Sequence, residues 1–129
     1  MKYYIASKLI LKDKVIEIQK RLAEMGYYPT FDWTEIPDIT PYDKHKEECS
    51  KRGEIEIKAV IDADFFLLFA DKDGFTSHLE AGAALAAMKI NGKPKFYVIK
   101  ENKDSPWFYV KGVIECEDVE DFFKRLENE

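Results

Sequence analysis

Apolar positions in this chain form short unbroken runs, separated by stretches in which they recur every three or four residues. Lys2–Ala6 (KYYIA) is such a run and reads as a first strand. Over Lys12–Met25 the apolar residues Val15, Ile18, Leu22 and Met25 follow an i, i+3, i+7, i+10 spacing, which puts them on one helix face. Gly26 stands where a helix commonly ends in the left-handed conformation. Tyr27–Trp33 is rich in aromatics and reads as a second strand, although Pro29 fits a ladder poorly. Pro37 and Pro41 punctuate a loop, and Pro41 is placed to open a charged helix running to about Ile61. Gly53 falls inside that helix at a cost of about 1 kcal/mol against alanine, which predicts either a break or the close approach of another group.

Phe65–Ala70 (FFLLFA) has no polar position, the pattern of a strand covered on both faces in a parallel sheet. Phe75–Ile90 is an alanine-rich helix ended by Asn91-Gly92. Lys95–Ile99 is a further strand, Val113–Cys116 a weak last one, and Asp118–Asn128 a helix with Val119, Phe122, Phe123 and Leu126 inward. The alternation predicts an α/β, flavodoxin-like three-layer sandwich with a five-stranded, mainly parallel sheet in a single domain over residues 1–129.

Composition narrows the classes of function. The 129 residues are 46% hydrophobic and 14% aromatic, enough for one domain with a real core. Lys and Arg total 20 against 25 Asp and Glu, a net charge of −5, which argues against a nucleic-acid polymer as partner because phosphate contacts need a basic surface. No apolar run approaches the ~20 residues that cross a bilayer. The opening MKYYIASKL is too soon interrupted for a secretory signal. Cys49 and Cys116 make neither a disulfide scaffold nor a metal site, and His45 and His78 are isolated. A reducing, cytoplasmic protein that uses no metal or cofactor is expected.

In a sheet of this kind ligands bind at the carboxyl ends of the strands. Ser7 and Lys8 follow the first strand and bring a hydroxyl, backbone N–H groups and a positive charge suited to a phosphate. Asp32 and Trp33 follow the second, and Trp33 offers a ring for stacking. Behind the central strand come Asp71, Asp73, Gly74, Ser77 and Glu80. Asp73-Gly74 makes a turn, Thr76 or Ser77 caps the helix, and Glu80 falls near the positive end of its dipole. Ala81 to Ala87 carry almost no bulk and leave a hollow beside Glu80. The Ser77-x-x-Glu80 spacing equally fits a capping box, so both readings stand. Asp64 lies at the opposite edge of the sheet and reads as structural. Asp71 ends the central strand as a phospho-acceptor would, but Ser7-Lys8 occupies the place where such a domain needs an acidic cluster.

Tyr3-Tyr4-Ile5-Ala6-Ser7, Phe31-Asp32-Trp33-Thr34, Ala63-Asp64, Gly74 and Leu79-Glu80-Ala81-Gly82-Ala83-Ala84-Leu85-Ala86 occur in that order. With them the chain, from about Tyr3 to Trp107, resembles the nucleoside 2-deoxyribosyltransferase-like family, which includes the deoxynucleoside 5′-monophosphate N-glycosidases. The resemblance implies that Glu80 is a nucleophile attacking the anomeric carbon of a (deoxy)ribosyl group. It implies a second carboxylate for proton transfer to the leaving base, at Glu56 where the family has Asp, with Glu54 competing. It gives Asp73 the place of a further acid, has Tyr3 orient the nucleophile, and puts Ser7 on the 5′ side and Trp33 near the base. Two departures stand out. Ala81 follows the nucleophile where Leu is usual, and Leu9-Ile10-Leu11 replaces the glycine-rich first loop of the monophosphate hydrolases. The family also implies a homo-oligomer in which a neighbouring segment closes the pocket, here Asp104–Tyr109 with Ser105 as a polar contact. The implied activity is cleavage or transfer of the N-glycosidic bond of a small-molecule nucleoside or nucleotide. The alternative is a non-catalytic nucleotide-binding module of the same fold.

Overall fold

The computed structural model describes residues 1–100 and 105–128. Within them five strands, β1 (Lys2–Ala6), β2 (Tyr28–Pro29), β3 (Phe65–Ala70), β4 (Lys95–Lys100) and β5 (Val113–Cys116), form one sheet in the order β2-β1-β3-β4-β5. Every neighbouring pair is parallel. Helices α1 (Lys12–Glu24) and α4 (Val119–Glu127) cover one face, while α2 (Lys46–Asp62) and α3 (Phe75–Asn91) cover the other. This is the flavodoxin-like α/β sandwich that the alternation predicts.

Alternation along the strands sorts side chains into two cores. Tyr3, Ile5, Phe65, Leu67, Phe69 and Tyr97 pack with Val15, Ile18 and Leu22 of α1 and with Phe122, Phe123 and Leu126 of α4. Tyr4, Ala6, Phe66, Leu68, Ala70 and Phe96 pack with Ala59, Val60 and Ala63 at the end of α2 and with Ala81, Ala84 and Leu85 of α3. The register is Tyr3 beside Phe65 and Tyr4 beside Phe66, so adjacent tyrosines point to opposite sides of the sheet. The α1 and α4 helices are tied on their outer side by an ion pair, Arg21 Nη1 to Glu120 Oε1 at 2.5 Å.

Three boundaries depart from the periodicity. The second strand has two residues rather than seven, because Pro29 has no N–H for the ladder and Trp33 already begins a 3₁₀ turn, Trp33–Glu35, capped by Asp32. Pro41 caps a 3₁₀ turn, Tyr42–Lys44, instead of opening α2, which starts at Lys46 after His45 turns the chain with φ −132° and ψ 42°. The N-cap of α3 is Gly74, not Thr76 or Ser77. After β1 the chain crosses to α1 on one face, and after β3 to α3 on the other. The carboxyl ends of these adjacent strands therefore flank the crevice where a sheet of this class receives ligands.

Candidate active site

A cleft of about 860 Å³ opens at that crevice. Its floor holds Tyr4 and Glu80, and its sides are Ser7–Ile10, Trp33, the Ile36–Ile39 loop, the start of α3 and the outer half of α2. The cleft-lining residues of α2 are Cys49, Arg52, Gly53 and Glu56, an i, i+3, i+4, i+7 stripe of one helix face. One turn further on, the same face continues into the core as Ala59, Val60 and Ala63. A single helix thus serves as core on one half and as cleft wall on the other.

Glu80 lies in the second turn of α3, six residues after the Gly74 cap. Burial is the main reason its carboxyl is pushed up to about 7; a hydrogen bond from the Tyr4 hydroxyl opposes the rise, and the neighbouring Glu56 charge adds to it. The Oε2 atom of Glu80 is buried and has no hydrogen-bond partner among the described residues. Glu56 is raised by burial and pulled back by the Arg52 guanidinium. The Tyr4 hydroxyl is raised far above its ordinary range, by burial first and then by the Glu80 and Glu56 charges. It therefore stays protonated and available as a donor. Glu54, the competing candidate, is exposed and outside the cleft.

The other candidates divide. Ser7, Lys8, Trp33, Asp73, Gly74 and Ser77 all line the cleft. The Ser7 hydroxyl donates to the Lys8 carbonyl at 3.0 Å, and Lys8 pairs with Asp71 at 3.0 Å. The Trp33 indole N–H donates to the Ile5 carbonyl at 2.7 Å, which fixes the ring in the wall. Asp73 is exposed at the rim. Ser77 is 3% exposed and donates to the Gly74 carbonyl at 3.2 Å, a carbonyl it shares with His78 Nδ1. A Cβ on Gly74 would come within 2.5 Å of Ser77 Oγ, so the turn has room only for glycine. No capping box forms: Ser77 is the third helical residue, and Glu80 is already a full turn inside.

Three candidates lie elsewhere. Tyr3, expected beside Glu80, is 1% exposed in the opposite core, and strand alternation gives that place to Tyr4. Asp32 faces away from the cleft and caps the turn after it: its Oδ1 accepts from the Thr34 N–H and from Gln19 Nε2, each at 3.0 Å. Ser105 caps the 3₁₀ turn Pro106–Tyr109, accepting from the Trp107 N–H at 3.2 Å, and does not line its own chain's cleft. Asp104 lies outside the described residues. Periodicity over α2 carries the signal for what the candidates omitted, because Cys49, Arg52 and Gly53 share the face of Glu56. Tyr4 could have been found only by knowing which side of the sheet it faces.

Among the described residues no three His, Cys, Asp or Glu side chains converge as metal ligands, and no helix is long and apolar enough to cross a membrane. The chain matches no protein-family profile and no curated protein. Among solved structures it is similar to the Clostridium botulinum CMP N-glycosidase BcmB, with a TM-score of 0.64 and 18% sequence identity over 99% of this chain and 98% of that one. At that identity what the two chains share is the fold.

Proposed function

We propose that the protein cleaves the N-glycosidic bond of a nucleoside or nucleoside 5′-monophosphate, with Glu80 as nucleophile. The observation that carries this reading is a buried carboxylate on the cleft floor, with one oxygen unpartnered and a second carboxylate close enough to perturb it. The likeness in fold to a CMP N-glycosidase supports it. The bare oxygen of Glu80 attacks C1′ while Tyr4 holds the carboxylate. The C1′–N bond breaks with its electron pair on the base nitrogen, and the proton of Glu56 neutralises that pair. The result is a glycosyl ester on Glu80. Water, or a second base if the enzyme transfers, then attacks C1′ and gives its proton to Glu56. Two carboxylates in one cleft titrate as a pair, and the reactive form is singly protonated; burial holds that proton chiefly on Glu80, and the microstate that reacts is the minor one with the anion on Glu80 and the proton on Glu56. On the substrate side Ser7 and Lys8 serve the 5′ end, Trp33 the base, and Asp73, Gly74 and Ser77 the rim near the sugar. The exposed Trp107 and Tyr109 beside Ser105 suit contact with a second copy, in which Ser105 reaches the partner's cleft.

The test is release of free base from a panel of nucleosides and 5′-monophosphates, followed by chromatography. Glu80→Gln and Glu80→Ala are expected to lose on the order of 10³-fold or more of the rate. Undiminished release by either variant refutes the role of Glu80. Nucleotide binding by wild type without any turnover would instead favour the non-catalytic module. Because the reactive form keeps one proton on the pair, kcat/KM should fall as pH rises through about 7, where Glu80 gives up the last of the pair's protons.

A further inference from the structure

Gly53 sits near the middle of α2, where glycine weakens a helix. The protein itself supplies no reason for it. The helix runs unbroken over Lys46–Asp62, the glycines with positive φ are Gly26, Gly92 and Gly112, and a Cβ on Gly53 would meet no atom within 4 Å. Gly74, the other glycine of the cleft, is different, since a Cβ there collides with Ser77. What lies in front of Gly53 is the cleft.

Its neighbours on the stripe say what the space is for. Glu56, one turn deeper, is the group that hands a proton to the leaving base, so the base departs along this face of α2 while the sugar sits over Glu80 on α3. Arg52, next to Gly53, also lines the cleft and gives one N–H to the Pro37 carbonyl at 2.8 Å. A guanidinium carries five N–H donors in a planar fork, the geometry that meets the carbonyl and ring-nitrogen acceptors of a base edge. A flat ring can lie against bare helix backbone where any side chain would hold it off.

We propose that Gly53 is a specificity-determining residue: its missing side chain leaves the wall against which the planar leaving base lies, with Arg52 beside it to meet the acceptors on the base edge. This rests on the N-glycosidase reading above, and the experiment separates the two. Gly53→Ala and Gly53→Leu are compared with wild type and with Lys51→Ala on the exposed side of the helix, by thermal unfolding, steady-state kinetics and calorimetric titration with the common nucleoside 5′-monophosphates. Relief of the glycine penalty raises the Tm of Gly53→Ala by roughly 2–5 °C. In the same variant KM and Kd rise about tenfold, and in Gly53→Leu on the order of 100-fold, because a flat pocket rejects added carbons. Lys51→Ala matches wild type in both. A Gly53→Leu variant with wild-type KM and Kd overturns the proposal. So does a Gly53→Ala variant that is less stable than wild type, since the glycine would then be a structural requirement. If wild type binds the nucleotides but turns none over, the N-glycosidase reading fails, while the Kd of Gly53→Leu still decides the base wall. If wild type binds no member of the panel, both fall.

Discussion

Strand aromatics lie on both faces of the sheet, but the helices that close the two faces differ in bulk. On the α1/α4 side aromatic rings fill the space. Tyr3 stacks on Phe65 at 5.6 Å, and Phe65 and Tyr97 both meet Phe122, at 6.2 and 5.2 Å. On the α2/α3 side alanines at 59, 63, 81 and 84 bring the helices close to the strands. Above the strand ends no large side chain among the described residues fills the gap, and the carboxylates of Glu56 and Glu80 face it instead. The first face spends its burial on cohesion. The second gives part of it up, since holding Glu80 out of water opposes its ionisation. The proposed function lies where packing is left incomplete.

Perturbations of the two faces should therefore differ in kind. The largest effect is on the filled side: Phe122→Ala should cost about 3–5 kcal/mol in urea unfolding, because a ring that is 0% exposed leaves a cavity. Glu80→Gln should do the reverse and stabilise the protein. The folded-state pKa of Glu80, about 7, lies above the ordinary value of 4.5. The native carboxyl therefore binds its proton more tightly than the unfolded one, and stability falls as pH rises between those values. The gain from the amide should reach up to about 3 kcal/mol at pH 8 and vanish by pH 4, as read by denaturant midpoints at the two pH values. Tyr4→Phe should lower kcat/KM about tenfold and move the descending pH limb upward, since the lost hydrogen bond was holding the Glu80 carboxyl down. Tyr3→Phe, one residue away on the filled side, should keep the wild-type limb. The smallest effect concerns Tyr97, whose buried hydroxyl has no partner among the described residues. Tyr97→Phe should be neutral or raise stability by about 1 kcal/mol in the same assay.

Much of this was legible before any coordinates, and the gaps have physical causes. Phe65–Ala70 could be placed at the centre of the sheet because an all-apolar run needs cover on both faces. The same property hid the orientation of β1. In Tyr3-Tyr4-Ile5-Ala6 every residue is buried, so no polar alternation says which tyrosine faces the cleft. Glu56 was reached through the resemblance, and it faces the cleft because α2 keeps its helical period. The start of α2 could not, because a proline suits the first turn of an α-helix and of a 3₁₀ turn alike. Asp32 looked like a ligand contact by its position after a strand and Ser105 by the resemblance, yet both satisfy backbone N–H groups of short turns. Side-chain oxygens at strand ends serve caps and ligands with the same chemistry.

The pairing of Tyr3 with Phe65 and Tyr4 with Phe66 has a consequence for how this chain tolerates insertion and deletion. Sliding β1 by a single residue against β3 would bring Ser7 into the buried place of Ala6 in one direction and Lys2 into that of Tyr3 in the other. The first shift hands the place of Tyr4 to Ile5 and takes the phenol away from Glu80; the second hands it to Tyr3. A frame error of one position at the amino end would thus disturb the packing and the surroundings of the carboxylate together, so alignment along this strand is held on both counts.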